Sequence, residues 1–185
     1  MSHFLIWIIA FVLAILILIS RLIALVARDK YTFVTGSWRA VNFMNLPGTA
    51  LQKAAWSVFG IVNVRREEIL YFIATKDESG QSLDGKQHYR LTGTDLDARF
   101  WSITVYNKQG RLIANSSRQY SLGNRQIVFN DNRHFVLDMA PERKGQNWLP
   151  SGNEPTIQLL IRLYEPSIEN SQNPGRISLP AIQKV

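Results

Sequence analysis

Over 185 residues, 46% of them hydrophobic, 11% aromatic and 19% charged, the chain has the composition of a folded protein with room for a single domain and its core. It contains no cysteine, which excludes disulfides, thiolate metal sites and a cysteine nucleophile. The formal net charge of +7 suits an anionic partner, but no recognition motif or glycine-rich basic tail accompanies it, so nucleic acid is not the partner expected.

The chain opens on sixteen consecutive apolar residues, Phe4 to Ile19, and after Ser20 and Arg21 the run resumes from Leu22 to Ala27 before Arg28, Asp29 and Lys30 end it. Hydrocarbon offers no water to pair backbone amides, so a segment that enters it must be a helix of about 20 residues. Phe4 to Ala27 meets that length, and its Leu, Ile, Phe and Val each favour insertion by roughly 0.3 to 0.6 kcal/mol, which outweighs one snorkelling Arg near the end. A cleaved signal peptide fits less well. Only the α-amino group and His3 precede the run, and Leu25 spoils a cleavage site ending at Ala27. A soluble core helix would show polar positions every third or fourth residue, and none occurs before Ser20. Orientation is a separate matter. No Lys or Arg precedes the run, while Arg21, Arg28, Lys30 and Arg39 follow its start, so the positive-inside count puts the C-terminal domain in the cytoplasm.

Residues 28–46 form a connecting segment with a Gly36-Ser37-Trp38 step and little periodicity. A short packed helix follows over 47–60: Pro47-Gly48 makes the turn, Thr49 is its N-cap, Leu51, Ala54, Ala55 and Val58 build one apolar face, and Gly60 stops it. Residues 61–185 are expected to be all β. The β-rich runs are Ile69 to Ile73, Tyr89 to Leu91, Phe100 to Tyr106, Gln126 to Phe129, Phe135 to Met139 and Ile157 to Tyr164, separated by clusters of Gly, Asn, Asp and Pro. Six or more strands with no intervening helix imply a sandwich or jelly roll. Within Phe100 to Tyr106 the alternation puts Trp101, Ile103 and Val105 on one face, which is the core face.

The run Phe100-Trp101-Ser102-Ile103-Thr104-Val105-Tyr106, followed by Gly110-Arg111-Leu112-Ile113-Ala114-Asn115 and Arg118-Gln119-Tyr120-Ser121, resembles the module called domain of unknown function 1214. The resemblance continues through Asn147-Trp148-Leu149-Pro150, Arg162-Leu163-Tyr164 and Leu179-Pro180-Ala181-Ile182, and upstream through Arg66-Glu67-Glu68 with Tyr71, Asp77 and Gly80, so it covers roughly Glu67 to Ile182. It implies a jelly-roll-like antiparallel β-sandwich in a bacterial protein of the short, membrane-anchored form, and no established activity. Longer relatives carry a second module, domain of unknown function 1254, ahead of this one, and here there is no room for it. The sequence departs from the pattern near His134, where Arg133-His134-Phe135 replaces a more usual polar hairpin tip.

No catalytic set is legible. Beyond the anchor the histidines are His88 and His134, neither beside a nucleophile elbow, and their spacing to carboxylates makes a poor metal site, so no cofactor or metal is expected. Glu67 and Glu68 are adjacent, and adjacent strand residues face opposite ways, so they cannot share one substrate bond. The candidate ligand-binding residues are Glu68, Arg118, Asn147, Trp148, Arg162 and Tyr164, all in or beside the motif segments. Arg162 stands in the otherwise apolar strand Leu159 to Leu163 and requires a partner, for which Glu68 is the expectation. One reading makes this set a structural ion pair with hydrogen bonds bracing the sheets. The other makes it a cleft with Trp148 as an aromatic platform and Arg118 or Arg162 as an anion clamp.

Three functions follow: a binding or accessory domain of the cell envelope, anchored in the inner membrane and facing the periplasm, with a basic surface for anionic glycan or lipid headgroups; an envelope hydrolase or other glycan- or lipid-processing enzyme; or a structural subunit of a membrane complex.

Overall fold

A computed structural model of the chain describes residues 3–30, 33–40 and 65–185. The short helix expected over 47–60, and residues 41–46 of the connecting segment, lie outside the described residues.

The first element, α1, is one helix over His3–Lys30, and the span Phe4–Leu22 within it is long and apolar enough to cross a membrane. Its large side chains, among them Phe4, Trp7, Phe11 and Leu18, are exposed. A helix of this length reaches about 40 Å end to end.

Among the described residues the β domain contains ten strands: β1 (Phe33–Thr35), β2 (Trp38–Ala40), β3 (Ile69–Ala74), β4 (Tyr89–Thr94), β5 (Ala98–Asn107), β6 (Ser121–Gly123), β7 (His134–Ala140), β8 (Trp148–Pro150), β9 (Ile157–Pro166) and β10 (Ala181–Lys184). Between β9 and β10 lie a short helix, α2 (Ile168–Gln172), and a 3-10 turn at Pro174–Arg176. The strands make a six-stranded sheet, β1-β2-β3-β9-β5-β6, and a four-stranded sheet, β10-β4-β7-β8, in a jelly-roll-like β-sandwich. These strands pair antiparallel except for β7 and β8, which run parallel.

Period-two patterning explains why these segments form a sandwich. In β9, Ile157, Leu159, Ile161 and Leu163 are fully buried, while Gln158, Leu160, Arg162 and Tyr164 between them are half-buried on the opposite face. In β5 the buried inner set is Trp101, Ile103 and Val105, as the alternation predicts. The four-stranded sheet supplies Leu91, Leu137, Met139 and Ile182 to the same interior. Trp101 meets Phe135 across the two sheets at a ring distance of 5.4 Å. Trp38 is buried with its indole Nε1 donating to the Pro180 carbonyl at 2.7 Å, so its one polar group is satisfied.

Two expectations require correction. Part of the connecting segment is structured: Phe33–Thr35 and Trp38–Ala40 form a hairpin about Gly36 (φ 56°) that pairs with β3 and extends the domain upstream. Gln126–Phe129 is not a strand but a looped stretch after β6, in which the backbone N–H of Val128 donates to Asn147 Oδ1 at 2.8 Å. Ile127 is nonetheless buried, which is why the run is apolar.

Candidate functional site

The six sequence-selected residues divide into separate places. Arg162 and Tyr164 sit two apart on β9 and so share the outer face of the six-stranded sheet. Asn147 immediately precedes β8 and Trp148 opens it in the other sheet, with Arg118 exposed on a nearby loop whose Gln119 Nε2 donates to the Trp148 carbonyl at 2.7 Å. Glu68 is exposed just before β3, and its carbonyl accepts the Glu165 N–H at 2.8 Å.

The roles of the second group can be read from its hydrogen bonds. Asn147 is buried; its Nδ2 donates to the carbonyls of Val128 and Val136, each at 2.9 Å, so both amide protons are spent holding the loop after β6 against β7. Trp148 is half-buried and its Nε1 donates to the Ala140 carbonyl at 3.1 Å. The Arg118 backbone adopts φ 53° in a turn closed onto the Asn115 carbonyl.

Arg162 is not paired with Glu68. Its Nη2 donates to the Tyr106 hydroxyl at 2.7 Å, its Nη1 reaches Thr104 Oγ1 at 3.4 Å, and its Cζ stands 5.6 Å from the centroid of the Tyr106 ring. No carboxylate of the described residues lies within ion-pair distance of it. The sheet register explains its neighbours: Arg162 lies opposite Tyr71 on β3 and Ser102 on β5, and Tyr164 lies opposite Ile69 and Phe100. The Phe100 and Tyr164 rings are 5.6 Å apart. Burial, together with the neighbouring Tyr164, pushes the Tyr71 hydroxyl above its ordinary range, and Arg162 acts against that shift.

The whole outer face shares this character. Its described positions carry Arg162 at the centre, Arg39 exposed on β2 opposite Ile73, and Arg125 stacked over Phe100 at 6.0 Å from its centroid; none of the outward positions on β2, β3, β9, β5 and β6 is acidic. Among the described residues the ion pair on these strands, Arg99 with Glu165 at 2.6 Å, lies at the end of the sheet and is exposed. The face is therefore cationic, aromatic and half-buried.

A second polar cluster escaped the sequence reading. On the outer face of the four-stranded sheet, the buried Asp138 presents Oδ1 to His88 Nε2 at 2.8 Å and to Arg90 Nε at 3.1 Å. Its backbone N–H donates to the Asn147 carbonyl at 2.9 Å, and a Cβ at Gly145 would stand 2.5 Å from Oδ2, so the loop between β7 and β8 closes over the carboxylate. His88 makes no hydrogen bond to a described hydroxyl, so no Ser-His-Asp arrangement exists among the described residues. The available signal was an aspartate inside the apolar run Phe135 to Met139, which demands a partner, and the parity of His88 and Arg90 along β4, which supplies two. Among the described residues no three His, Asp or Glu side chains gather to hold a metal ion.

A family model described as "Protein of unknown function (DUF1214)" matches residues 68–168. No curated protein matches the chain. Among solved structures, the chain is similar to the VPA0106 protein from Vibrio parahaemolyticus, at 23% identity and a TM-score of 0.63, over 75% of this chain and 36% of that one. It is also similar to an uncharacterized protein from Burkholderia cenocepacia, at 16% identity and a TM-score of 0.49, over 63% of this chain and 29% of that one. The chain thus spans about a third of the length of these solved proteins, and the first likeness is one of fold.

Proposed function

The chain belongs to the DUF1214 family, and on that premise we propose that it is a membrane-anchored binding domain of the bacterial cell envelope that takes an anionic group at Arg162. The observation that carries this reading is the half-buried guanidinium of Arg162, bonded among the described residues to neutral hydroxyls, on a face whose other described charges are also positive. A guanidinium has five N–H donors, and two are engaged here, which leaves donors for a phosphate or carboxylate in a planar, two-point arrangement. Lipid headgroups and acidic glycans both offer that chemistry beside a membrane. The domain stands on the periplasmic side in this reading, although the Lys and Arg around the anchor favour the other orientation.

The test uses the full chain in nanodiscs of zwitterionic lipid, titrated calorimetrically with inorganic phosphate and with glucuronate. Saturable binding weakened at least tenfold by Arg162→Gln is the expected result. Equal affinity in both proteins would remove Arg162 from the binding face and end the proposal.

A further inference from the structure

The surroundings of Arg162 narrow the ligand class further, and the argument rests on the anion-binding reading above. Around the guanidinium, the register places Tyr71 and Ser102 at its own level, Ile73, Leu160 and Thr104 on one side, and Ile69, Tyr164 and Phe100 on the other. Six of these eight positions are aliphatic or aromatic. Their hydrogen-bonding capacity is limited: the Thr104 hydroxyl, like that of neighbouring Tyr106, faces Arg162 itself, Ser102 is buried, and the Tyr71 and Tyr164 hydroxyls are the others on this part of the face.

A sugar acid carries several hydroxyls, each of which loses water on docking and needs a partner in return. Beside Arg162 this face offers mainly two tyrosine hydroxyls, those of Tyr71 and Tyr164, fewer partners than a sugar ring needs. A ligand with one charged end and an apolar body meets it without that penalty, since each methylene laid on Ile73, Leu160 or the tyrosine rings leaves water. The charge requirement is equally definite: cations at the centre and flanks, with no acid among the described outward positions, repel a cationic amphiphile and attract an anionic one. A half-buried setting strengthens the attraction relative to one in bulk water.

We infer that the outer face of the six-stranded sheet binds a single-chain anionic amphiphile, an alkyl or acyl phosphate or carboxylate of lipid origin, with its head on Arg162 and its chain along the apolar positions beside Leu160 and Ile73. A membrane-anchored chain stands next to the reservoir of such molecules.

The experiment titrates the full chain in phosphatidylcholine nanodiscs with inorganic phosphate, butyl phosphate, hexyl phosphate, octyl phosphate and glucose 6-phosphate, subtracting empty nanodiscs. Affinity is expected to rise about two- to fourfold per methylene, the range that partial to full burial of a CH₂ gives. Octyl phosphate is expected to bind at least tenfold tighter than glucose 6-phosphate. Arg162→Gln should weaken every phosphate, whereas Leu160→Thr, a residue that keeps the strand, should flatten the chain-length series and leave inorganic phosphate unchanged. Phosphate binding that depends on Arg162 but does not change with chain length, or glucose 6-phosphate equal to octyl phosphate, overturns the amphiphile and leaves the anion site standing. A chain-length series untouched by both Arg162→Gln and Arg162→Lys overturns both.

Discussion

Arg118 and Arg133 occupy a position that two sister turns give to glycine. Asp77-Gly80, Asn107-Gly110, Asn115-Arg118 and Asn130-Arg133 are the same turn: in each the fourth residue has positive φ, 82°, 76°, 53° and 58°, and its N–H donates to the carbonyl of the first. The side chain of the first residue accepts backbone N–H groups two or four places on, as Asn130 Oδ1 does from Asn132 and His134. An L side chain in the left-handed region costs about 1 kcal/mol or more. Arg118→Gly is therefore expected to stabilise the domain by about 1 kcal/mol, read as a raised midpoint in denaturant with unchanged slope. Arg133→Gly should gain little, because Arg133 also pairs with Asp95 and lies over Phe129 at 4.5 Å, contacts that offset the relief. Equal gains in the two variants would refute this account. Asp77 adds a pH dependence. Burial alone would raise its carboxyl, but the Ser79 hydroxyl and the N–H groups of Gln81 and Ser79 outweigh burial and hold it below the usual range. A depressed folded value means stability that is present above the unfolded value of about 3.9 and is lost as pH falls through the folded one. Asp77→Asn should lose less stability than wild type between about pH 4 and pH 2 in chemical denaturation. Parallel curves would argue that Asp77 does not titrate with folding.

The elements show what sequence pattern can reveal and where it stops. Long strands declare themselves: the alternation of Phe100 to Tyr106 in β5 and of Ile157 to Tyr164 in β9 outvotes any single exception, which is why Arg162 could be seen as anomalous in an apolar strand. The choice of its partner could not, because Glu68 and Tyr106 compete through a register that no local signal fixes. Strands of three or four residues such as β1, β6, β8 and β10 carry too few positions for a period; their pairing partners make them strands. The Asp138 cluster was hidden for the same reason, since it joins β4 to β7 across fifty residues of sequence. β10 shows how much such a short element contributes. Its Ile182 is fully buried against a sheet in which it pairs with Leu91, and its carbonyl accepts the Glu78 N–H at 2.9 Å. Ile182→Ala should cost about 3 kcal/mol, the range for emptying a core position, while Gln183→Ala on the exposed face of the same strand should stay within about 0.5 kcal/mol. Thermal melts of the two variants that coincide would show that β10 is not part of the cooperative core.

At the scale of the molecule the proposed anchoring through α1 raises the side of the membrane on which the β domain would work, and two arguments pull apart. The Lys and Arg count, none before the apolar run and Arg21, Arg28, Lys30 and Arg39 after its start, favours a cytoplasmic domain. The proposed function favours the periplasm, and orientation rules weigh a balance of flanking charge that is small here in absolute terms. The C-terminus allows a direct decision. Val185 is 63% exposed, and its N–H closes the last bond of the sheet onto the His88 carbonyl at 3.0 Å, so a reporter joined after it leaves β10 in place. A phosphatase that is active only after export, fused there, is expected to be active, and a fluorescent protein that matures only in the cytoplasm is expected to be dark. Because the anchor's N-terminal flank holds no Lys or Arg, the double substitution Ser2→Lys and His3→Lys should increase retention of that flank inside and raise phosphatase activity further. A silent phosphatase with a bright fluorescent fusion would put the β domain on the cytoplasmic side, where the anionic lipids of that leaflet would be the ligand source to test.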